Sequence, residues 1–460
     1  MSRLRFLAAL ALIALAGLGV RTAFTLAVAQ QDHHLYDAFY YELQADAIAK
    51  GKGFTDPFAY LPGGDEQAHP AADHPPLTAA VLGGVAWVMG PRTLVMRFVT
   101  VLAGVATVVL LGFLGRVVAN DRVGLIAAGT GALYPFLWLN DGLIMSEAFA
   151  ALLVTAAMLL CYRTRTSQHP LVAGLALGVV CGLATLTRAE LALLAPGFVI
   201  VLLLPDRSAP VTADGPTGGP TTGTVSTATG GWWPRLAPAA AVLVAALVVV
   251  APWSLYNQSR FERSVLISSN DGLTLLGANC HAAYHGSEIG LWVIAPGVCI
   301  PAHAPPGDQS VVSDDYRHDA LVYARAHASW LPVVLAARLG RTWNLYRPVD
   351  MLRVNEREGR PRWATALGLV VYYPLVVLAV AGAVWLRRRR GWLAPLLVAP
   401  VVVTVATLAF YGQTRIRLPA EPVIVLLAGV AVDHLLTRRR EGPLGSSTAA
   451  VLAGRAGPPP

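Results

Sequence analysis

Ionisable side chains recur at the edges of the apolar runs of this chain. An acidic and aromatic segment of about forty residues comes first, and it contains Asp37, Tyr41, Asp73 and His74. Single charged positions follow farther along, each beside an apolar run: Glu147, Arg188, Arg415 and Arg417. Because charges at membrane depth are expensive and usually functional, these residues are the candidates for a functional site.

The types of these residues favour chemistry at a phosphate group. The planar fork of an arginine matches the oxygens of a phosphate, and a carboxylate can take a proton from an attacking hydroxyl. Together they suit the transfer of a group from a lipid phosphate to an acceptor. The lipid tail would then lie between helices, and the acceptor would arrive from the aqueous side.

The composition indicates that these charged residues belong to a membrane protein. Of 460 residues, 55% are hydrophobic and only 13% are charged, with a mean hydropathy of +0.55. Continuous apolar runs separated by short basic loops indicate a polytopic α-helical membrane protein and exclude an outer-membrane barrel. The net charge of +8 lies in these short loops, so we expect no nucleic-acid partner. The four cysteines lack the spacing of metal ligands.

The apolar runs predict about ten spanning helices. The first run, from Phe6 to Ala29, is either a cleaved signal peptide or a retained first span, and its length favours the span. Residues 77–90 are too short to span, so we expect a re-entrant or interfacial helix there. The other predicted spans cover residues 94–115, 123–139, 144–161, 170–187, 191–205, 237–255, 366–386, 393–411 and 418–436.

The distribution of arginines predicts the orientation of these spans in the membrane. With residues 77–90 outside the count, six basic clusters fall on one side, which is the cytoplasm by the positive-inside rule. They are Arg3 and Arg5, Arg116 and Arg122, Arg163 and Arg165, Arg207 and Arg235, Arg387 to Arg390, and Arg438 to Arg440. We therefore expect a multi-pass protein of the cytoplasmic (inner) membrane, with both termini inside and every candidate site residue outside.

The same topology divides the chain into parts. We expect an N-terminal catalytic module at 1–205 with its first external loop at 30–90, and a C-terminal module at 236–437 with an extracytoplasmic segment at 256–363. Segments rich in Thr, Gly, Pro and Ser at 206–235 and 438–460 predict a disordered linker and tail. Within the extracytoplasmic segment, Cys280 and Cys299 are candidates for a disulfide. Residues 315–343 predict one amphipathic helix on the membrane, with Arg338 and Arg341 on its polar face.

Several short motifs, in order along residues 1–437, resemble those of GT-C-fold glycosyltransferases. The branch they resemble is related to protein O-mannosyltransferases and lipid A aminoarabinose transferases. The motifs are Asp37 with Tyr41, Ala45 and Ala49-Lys50-Gly51-Lys52-Gly53-Phe54; His74-Pro75-Pro76-Leu77; Ser146-Glu147; Leu186-Thr187-Arg188; Ala251-Pro252-Trp253; Asn270-Asp271-Gly272 with Asn279; and Arg415-Ile416-Arg417-Leu418-Pro419.

The resemblance implies a fold, a reaction and a set of roles. It implies an inverting transfer of a hexosyl or pentosyl group from a polyprenyl-phosphate-linked sugar to the hydroxyl of a lipid, glycan or protein acceptor. Asp37 matches the catalytic base and Glu147 the second external acid. Asp73 and His74 stand where the aminoarabinose transferases carry an acid and a lysine near the lipid phosphate. No cofactor is required by this pattern, and use of a divalent metal is left open.

The remaining candidates are expected to bind substrate. Arg188, with Glu190 as its local partner, and the pair Arg415 and Arg417 are expected to stabilise the departing lipid phosphate, and Tyr41 is a substrate contact. Each has a simpler alternative. Asp37 could cap its helix, Glu147 could stabilise a helix N-terminus, and the arginines could reach lipid headgroups as interface anchors.

Two other functions fit a polytopic membrane protein. A transporter or lipid flippase is the main alternative, but such proteins place ionisable groups near the midplane and often contain inverted repeats. The interiors of the predicted spans contain almost no charged residues, and no internal repeat is evident. If the protein were a scaffold without activity, the charged residues in its predicted outer loops would have no explanation. The sequence identifies neither the sugar nor the acceptor.

Overall fold

The fold is all-helical. A computed structural model describes residues 1–28, 36–204 and 233–441, and no β-strand occurs in these ranges. Their α-helices, in chain order, are α1 (Arg3–Ala27), α2 (Tyr36–Ala49), α3 (Pro76–Met89), α4 (Thr93–Val118), α5 (Asp121–Leu133), α6 (Pro135–Asp141), α7 (Glu147–Thr166), α8 (Pro170–Thr185), α9 (Leu194–Leu203), α10 (Trp233–Gln258), α11 (Asp271–Ala278), α12 (His281–Tyr284), α13 (Gln309–Ala326), α14 (Leu331–Thr342), α15 (Asp350–Arg357), α16 (Arg362–Arg388), α17 (Ala394–Ala409) and α18 (Glu421–Glu441).

The apolar helices correspond to the predicted spans. Within the described ranges, six helices are long and apolar enough to cross a membrane: α1, α4, α7, α10, α16 and the last helix. The helices α5 and α6 form a bent pair at 57°. The helices α8, α9 and α17 are apolar but short for a bilayer, so the count of ten spans is not confirmed. The architecture is nevertheless that of a multi-pass membrane protein, as predicted.

The predicted cytoplasmic loops lie against one another. The N-terminal amine of Met1 is 3.6 Å from Asp121, whose carboxylate also pairs with Arg116 at 2.8 Å. In the same loop, Arg122 pairs with Asp433 near the end of α18 at 3.1 Å. These contacts join the first helix, the α4–α5 turn and the last helix at one end of the bundle, which agrees with the predicted topology.

Glycines allow close packing of α8 on α10. Gly174, Gly178 and Gly182 recur every fourth residue along one face of α8. A Cβ added at any of them would overlap the α10 backbone, at the carbonyls of Pro238, Val242 and Ala246 in turn. Small residues at this spacing are typical of helix pairs in membranes, where close backbone contact replaces a hydrophobic driving force. This pair supports the loop that carries Arg188.

The segment predicted as one amphipathic helix is two helices, so that prediction was wrong. The helices α13 and α14 meet at a bend of 76° around residues 328–330. Arg338 and Arg341, expected on a polar face, are 2% and 0% exposed. Arg338 donates to the carbonyl oxygen of Ala278, and Arg341 donates to those of Ile289 and Ser287. Because these arginines satisfy backbone carbonyls, α14 packs into the protein.

Other expectations from the sequence fall at the borders of the described ranges. The first helix ends at Ala27, and the last two residues of the predicted run straddle the gap after residue 28. Most of the predicted linker and tail lies outside the described residues. The parts inside are helical, because α10 begins at Trp233 and α18 continues to Glu441. The short helix predicted at 77–90 is α3, which packs against α2.

Candidate active site

One cavity of about 540 Å³ collects side chains from every predicted outer segment. The first loop, the start of α7, the turn after α8, the segment after α10 and the turn before α18 all line it. Six of the eight residues predicted for the site are in its wall: Asp37, Tyr41, Asp73, His74, Arg188 and Arg415. The other two predicted residues, Glu147 and Arg417, are not in the wall.

Asp37 lies in the first turn of α2, opposite the turn that precedes α18. Its Oδ2 accepts a hydrogen bond of 2.7 Å from Nη1 of Arg415, and its Oδ1 is 3.8 Å from Nε2 of His74. Burial raises the pKa of Asp37 and is the largest single effect on it, but the charge of Arg415 and its hydrogen bond act in the opposite direction. With smaller contributions from His74 and Arg188, the pKa falls to about 2. The carboxylate is therefore ionised throughout the physiological pH range.

Aromatic rings hold His74 beside Asp37. The imidazole lies between the rings of Tyr40 and Tyr41, with centroid distances of 4.8 and 4.9 Å. Successive side chains of α2 would normally point apart, so a loop residue must fold back between them. The Pro75-Pro76 pair that begins α3 fixes this return. The aromatic motif of the first loop thus positions a titratable group 3.8 Å from the carboxylate of Asp37.

Asp73 connects the first loop to the segment after α10 and to the start of α13. Its Oδ2 accepts a hydrogen bond of 2.9 Å from Gln309, and its carbonyl oxygen accepts one of 2.6 Å from Ser268. Burial raises the pKa of Asp73 above its ordinary value, against the opposing effects of His74 and Gln309. Asp73 therefore holds the segment with Ser268 and Gln309 in place, and it also lines the cavity.

Arg188 is held between two carboxylates. Its Nη1 lies 3.2 Å from Oε1 of Glu147, and its Nε donates to Oε1 of Glu190 over 2.6 Å. Glu147 begins α7 and its side chain is 1% exposed, so it stands behind Arg188. The structure therefore gives Glu147 the position of a support for the arginine, without an open path to the cavity. This differs from the direct catalytic role expected from the sequence.

Arg417 is not a partner of Arg415 in the cavity, which corrects the expected arginine pair. Its Nε donates to Glu421 over 2.6 Å, and its Nη1 donates to the carbonyl oxygen of Thr342 over 2.9 Å. The guanidinium also lies 3.8 Å from the ring centroid of Tyr372. Residues two apart on a helical turn face different directions, so only one of the two arginines can reach the cavity.

A network of alternating charges connects the two sides of the site. Glu358 lies 3.4 Å from Nε of Arg415 and accepts a hydrogen bond of 2.5 Å from Arg360. Arg360 in turn lies 3.7 Å from Glu147. Glu358 and Arg360 were not predicted as site residues because they belong to a long polar segment, where charged residues are ordinary. The available signal was their position four and two residues before the start of α16.

A second buried ion pair joins α1 to α6, just before the turn that leads to α7. Nε of Arg21 donates to Oδ2 of Asp141 over 2.6 Å, and both side chains are 5% exposed or less. The next residue back, Asn140, accepts a hydrogen bond of 2.9 Å from Arg360. The expectation that the spans are nearly free of charge was therefore wrong for α1. Arg21 is paired, and it holds the turn from which α7 starts.

Gly104 of α4 should be intolerant of any side chain. A Cβ at this position would overlap the carboxylate of Asp141 and force it away from Arg21. We expect Gly104→Ala to lower the free energy of unfolding by at least about 1–3 kcal/mol, the range for overpacked sites. Thermal unfolding in detergent measures this effect. Gly129→Ala is the matched control, because a Cβ on that α5 glycine meets nothing within 4 Å; equal stability of the two variants would contradict the assignment.

Acidic residues of the site do not form a metal centre. Within the described ranges, no group of three or more His, Cys, Asp or Glu side chains is arranged to hold a metal ion. Asp37 and Glu147 each face a guanidinium instead. The described residues of the site therefore do not fit a divalent metal.

Cys280 and Cys299 are joined by a disulfide, in agreement with the pairing considered from the sequence. The bridge closes the segment that carries Trp292, a residue of the cavity wall. The ring of Trp292 stacks on that of Tyr411 at 5.6 Å, and Tyr411 accepts a hydrogen bond from Arg415. The disulfide thus stabilises the aromatic wall beside the charged centre.

The fold and the site define a class of protein: a polytopic, all-helical membrane protein with a GT-C-like fold. Residues 73–220 match the family described as dolichyl-phosphate-mannose-protein mannosyltransferase. No curated protein matches the sequence significantly. The family match includes Asp73, His74, Glu147 and Arg188, and it ends before the segment that carries Arg415.

Solved structures support the fold. An Archaeoglobus fulgidus oligosaccharyltransferase in the apo form matches with 14% identity and a TM-score of 0.55, over 95% of this chain and 51% of that chain. The same organism's AglB, in complex with an inhibitory peptide and a dolichol-phosphate, matches with 13% identity and a TM-score of 0.51, over 99% and 52%. This chain therefore spans about half the length of these relatives.

A third match is more distant. ArnT from Cupriavidus metallidurans bound to undecaprenyl phosphate has 16% identity, covering 99% of this chain and 82% of that chain, with a TM-score of 0.39. That score is too low to support a structural argument. The likeness to the archaeal enzymes shows the fold, and the chemistry has to be argued from the cavity.

Proposed function

We propose that this protein transfers a sugar from a polyprenyl-phosphate-linked donor to an acceptor hydroxyl at the outer face of the cytoplasmic membrane. The observation that carries the proposal is the convergence of five separate loops on one cavity that contains a carboxylate and arginines. The family match and the GT-C fold support the same reaction type. The acceptor is a lipid, glycan or protein.

Asp37 is the proposed base. It takes the proton of the acceptor hydroxyl as that oxygen attacks the anomeric carbon and the bond from this carbon to the phosphate oxygen breaks. The electron pair of that bond leaves on the prenyl phosphate. The negative charge therefore moves from Asp37 to the phosphate, and guanidinium groups in the wall stabilise it as it grows. Attack from the face opposite the phosphate inverts the anomeric carbon.

The wall has one side suited to the lipid. Ala406 and Phe410 of α17 and Leu266 of the segment after α10 line the cavity together. Leu266 is 64% exposed, so its apolar side chain is accessible to a lipid chain. We propose that the prenyl chain lies along this side, with its phosphate toward Arg188 and Arg415.

One arginine of the cavity wall has no acidic partner among the described residues. Three of the four arginines in the wall are each held between two carboxylates: Arg188, Arg317 and Arg415. The fourth, Arg263, has no carboxylate within ion-pair distance among the described residues, and it is exposed. An incoming anion meets its positive charge unopposed, so we propose that Arg263 first captures the donor phosphate.

Replacing Arg263 should weaken donor binding and leave the rate of the transfer step nearly unchanged. We expect Arg263→Gln to raise the KM for the polyprenyl-phosphate sugar about tenfold, the loss of one charge-assisted hydrogen bond of about 1.5 kcal/mol. The kcat should stay near that of the wild type, because Arg263 binds before the reaction. Steady-state kinetics in proteoliposomes measure both constants. Arg325→Gln, an exposed arginine of α13 outside the wall, is the control; a fall in kcat with unchanged KM would contradict this role.

The decisive test of the function is transfer itself. Purified protein in vesicles should move labelled sugar from a polyprenyl-phosphate carrier to an acceptor present in a cell-envelope extract. Mass spectrometry of envelope glycans and glycoproteins from a deletion strain should show the loss of one sugar from one class of acceptor. An unchanged envelope together with ion or lipid movement in proteoliposomes would instead favour a transporter or flippase.

A further inference from the structure

Arg415 is shared between two carboxylates that differ in their surroundings. Its Nη1 bonds to Asp37, while its Nε lies 3.4 Å from Glu358 without forming a hydrogen bond in the described structure. Its Nη2 donates to the hydroxyl of Tyr411 over 3.1 Å. The guanidinium therefore keeps one N–H without a hydrogen-bond acceptor among the described residues.

Glu358 is anchored, and Asp37 faces the cavity. Glu358 accepts hydrogen bonds from Gln413 over 2.7 Å and from Arg360 over 2.5 Å. Asp37 lines the cavity, and its Oδ1 lies 3.8 Å from His74. An arginine that moves should therefore keep its contact with Glu358 and give up its contact with Asp37.

The charge balance of the transfer reaction requires a cation to follow the negative charge. Before transfer, one negative charge is on Asp37 and one is on the sugar–phosphate diester. After transfer, Asp37 is protonated and neutral, and the prenyl monophosphate carries both charges. A guanidinium that stayed on Asp37 would oppose this shift, because it stabilises the ionised carboxylate.

We propose that Arg415 exchanges Asp37 for the donor phosphate when the donor binds, with Glu358 as the fixed pivot of the exchange. The proposal rests on the proposed function, because it needs an anionic donor in this cavity. It makes Glu358 a positioning residue and makes donor binding the event that frees the base.

The exchange explains how a strongly paired carboxylate becomes a competent base. With Arg415 in place, Asp37 holds protons weakly, since its pKa is about 2. When Arg415 leaves, Asp37 loses the largest of the effects that lower its pKa. The charged and titratable groups that still face Asp37 are then His74, Arg188, Glu147 and Tyr41. An enzyme without donor would thus have a weak base, and proton transfer would follow donor binding.

Infrared difference spectroscopy can follow the protonation of Asp37 directly. The wild type in vesicles is titrated with and without undecaprenyl monophosphate, and the band of Asp37 is assigned by subtraction of Asp37→Asn. We expect the phosphate to raise the pH at which Asp37 becomes protonated by about one to three units, the range for loss of an adjacent arginine. An unchanged titration in the phosphate-bound protein would overturn the proposal.

Kinetics of a pivot variant give the second readout. In the wild type, the acid limb of the kcat profile should lie at higher pH than the acid limb of the kcat/KM profile. This is expected because kcat reports the pKa of the base in the donor-bound enzyme and kcat/KM reports its pKa in the free enzyme. In Glu358→Gln, Arg415 loses its pivot and stays on Asp37. We expect kcat to fall about tenfold and its acid limb to move by about one unit to lower pH, with the acceptor KM unchanged. Glu358→Asp should recover part of this loss.

The matched control is Glu356→Gln, an exposed residue of α15 that pairs with Arg362 at 3.8 Å. Its pH profile should equal that of the wild type. A Glu358→Gln profile with an unshifted acid limb would overturn the pivot even if kcat falls. Absence of both transfer and phosphate binding in the wild type would refute the proposed function. Transfer without any change at Asp37 would refute the exchange alone.

Discussion

Asp37→Asn should lose transfer almost completely while the protein stays folded. The amide cannot accept the proton of the acceptor hydroxyl, and removal of a general base lowers a rate by about 10²–10⁴-fold. Arg415 keeps two neighbours, because Glu358 and Tyr411 remain within reach. The measurement is transfer of labelled sugar from a polyprenyl-phosphate carrier in vesicles, together with thermal unfolding of the same preparation.

The control for this variant is on the same helix. Asp46→Asn removes a carboxylate of α2 that pairs with Lys50 at 2.7 Å and is not in the cavity wall. Its transfer rate should be within about a factor of two or three of the wild type, because surface pairs contribute little. Full activity of Asp37→Asn would refute the base assignment. Loss of folding in Asp37→Asn would make the carboxylate a structural ion pair.

Arg188→Gln should damage both stability and activity. It leaves the carboxylate of Glu147 buried at 1% exposure, with Arg360 at 3.7 Å as its remaining cation. Removing one partner of a buried pair lowers the free energy of unfolding by about 3–5 kcal/mol. The cavity also loses a cation that faces the departing phosphate, so transfer should fall by at least about a hundredfold. Thermal unfolding and initial rates measure the two effects.

A double variant separates these two effects. In Arg188→Gln/Glu147→Gln, neither buried group is charged, so most of the lost stability should return. Activity should stay low, because the phosphate still lacks its cation. If the double variant recovers transfer along with stability, Arg188 serves only to neutralise Glu147. A stable but inactive double variant supports the phosphate role.

The bulk of the fold was accessible from the sequence because membranes impose simple rules. The positive-inside distribution of Arg116, Arg122 and Arg165 predicted the orientation of the spans, which stays a prediction. In the structure, Arg116 and Arg122 pair with Asp121 and Asp433, and Arg165 donates to the carbonyl oxygen of Leu204. The break between α13 and α14 was missed because the apolar pattern continues through it. Pro332, at the start of α14, was the available signal.

The site was accessible only in part, for reasons of geometry. Asp37, Arg188 and Arg415 were found because charges beside apolar runs are conspicuous. Glu358 was not, because its importance depends on a contact with a residue about sixty positions away. Arg417 was misassigned because sequence spacing does not tell which of two nearby arginines turns inward. Arg21 was overlooked because its acidic partner, Asp141, is 120 positions away along the chain.

The most direct test of the account is a cryo-electron microscopy structure in lipid nanodiscs with undecaprenyl monophosphate. We predict the phosphate in the cavity wall between Arg188, Arg263 and Arg415, with the prenyl chain along Phe410 and Leu266 and with Arg415 moved away from Asp37. A phosphate bound elsewhere, or Asp37 and Arg188 on opposite sides of the bilayer, would contradict the account.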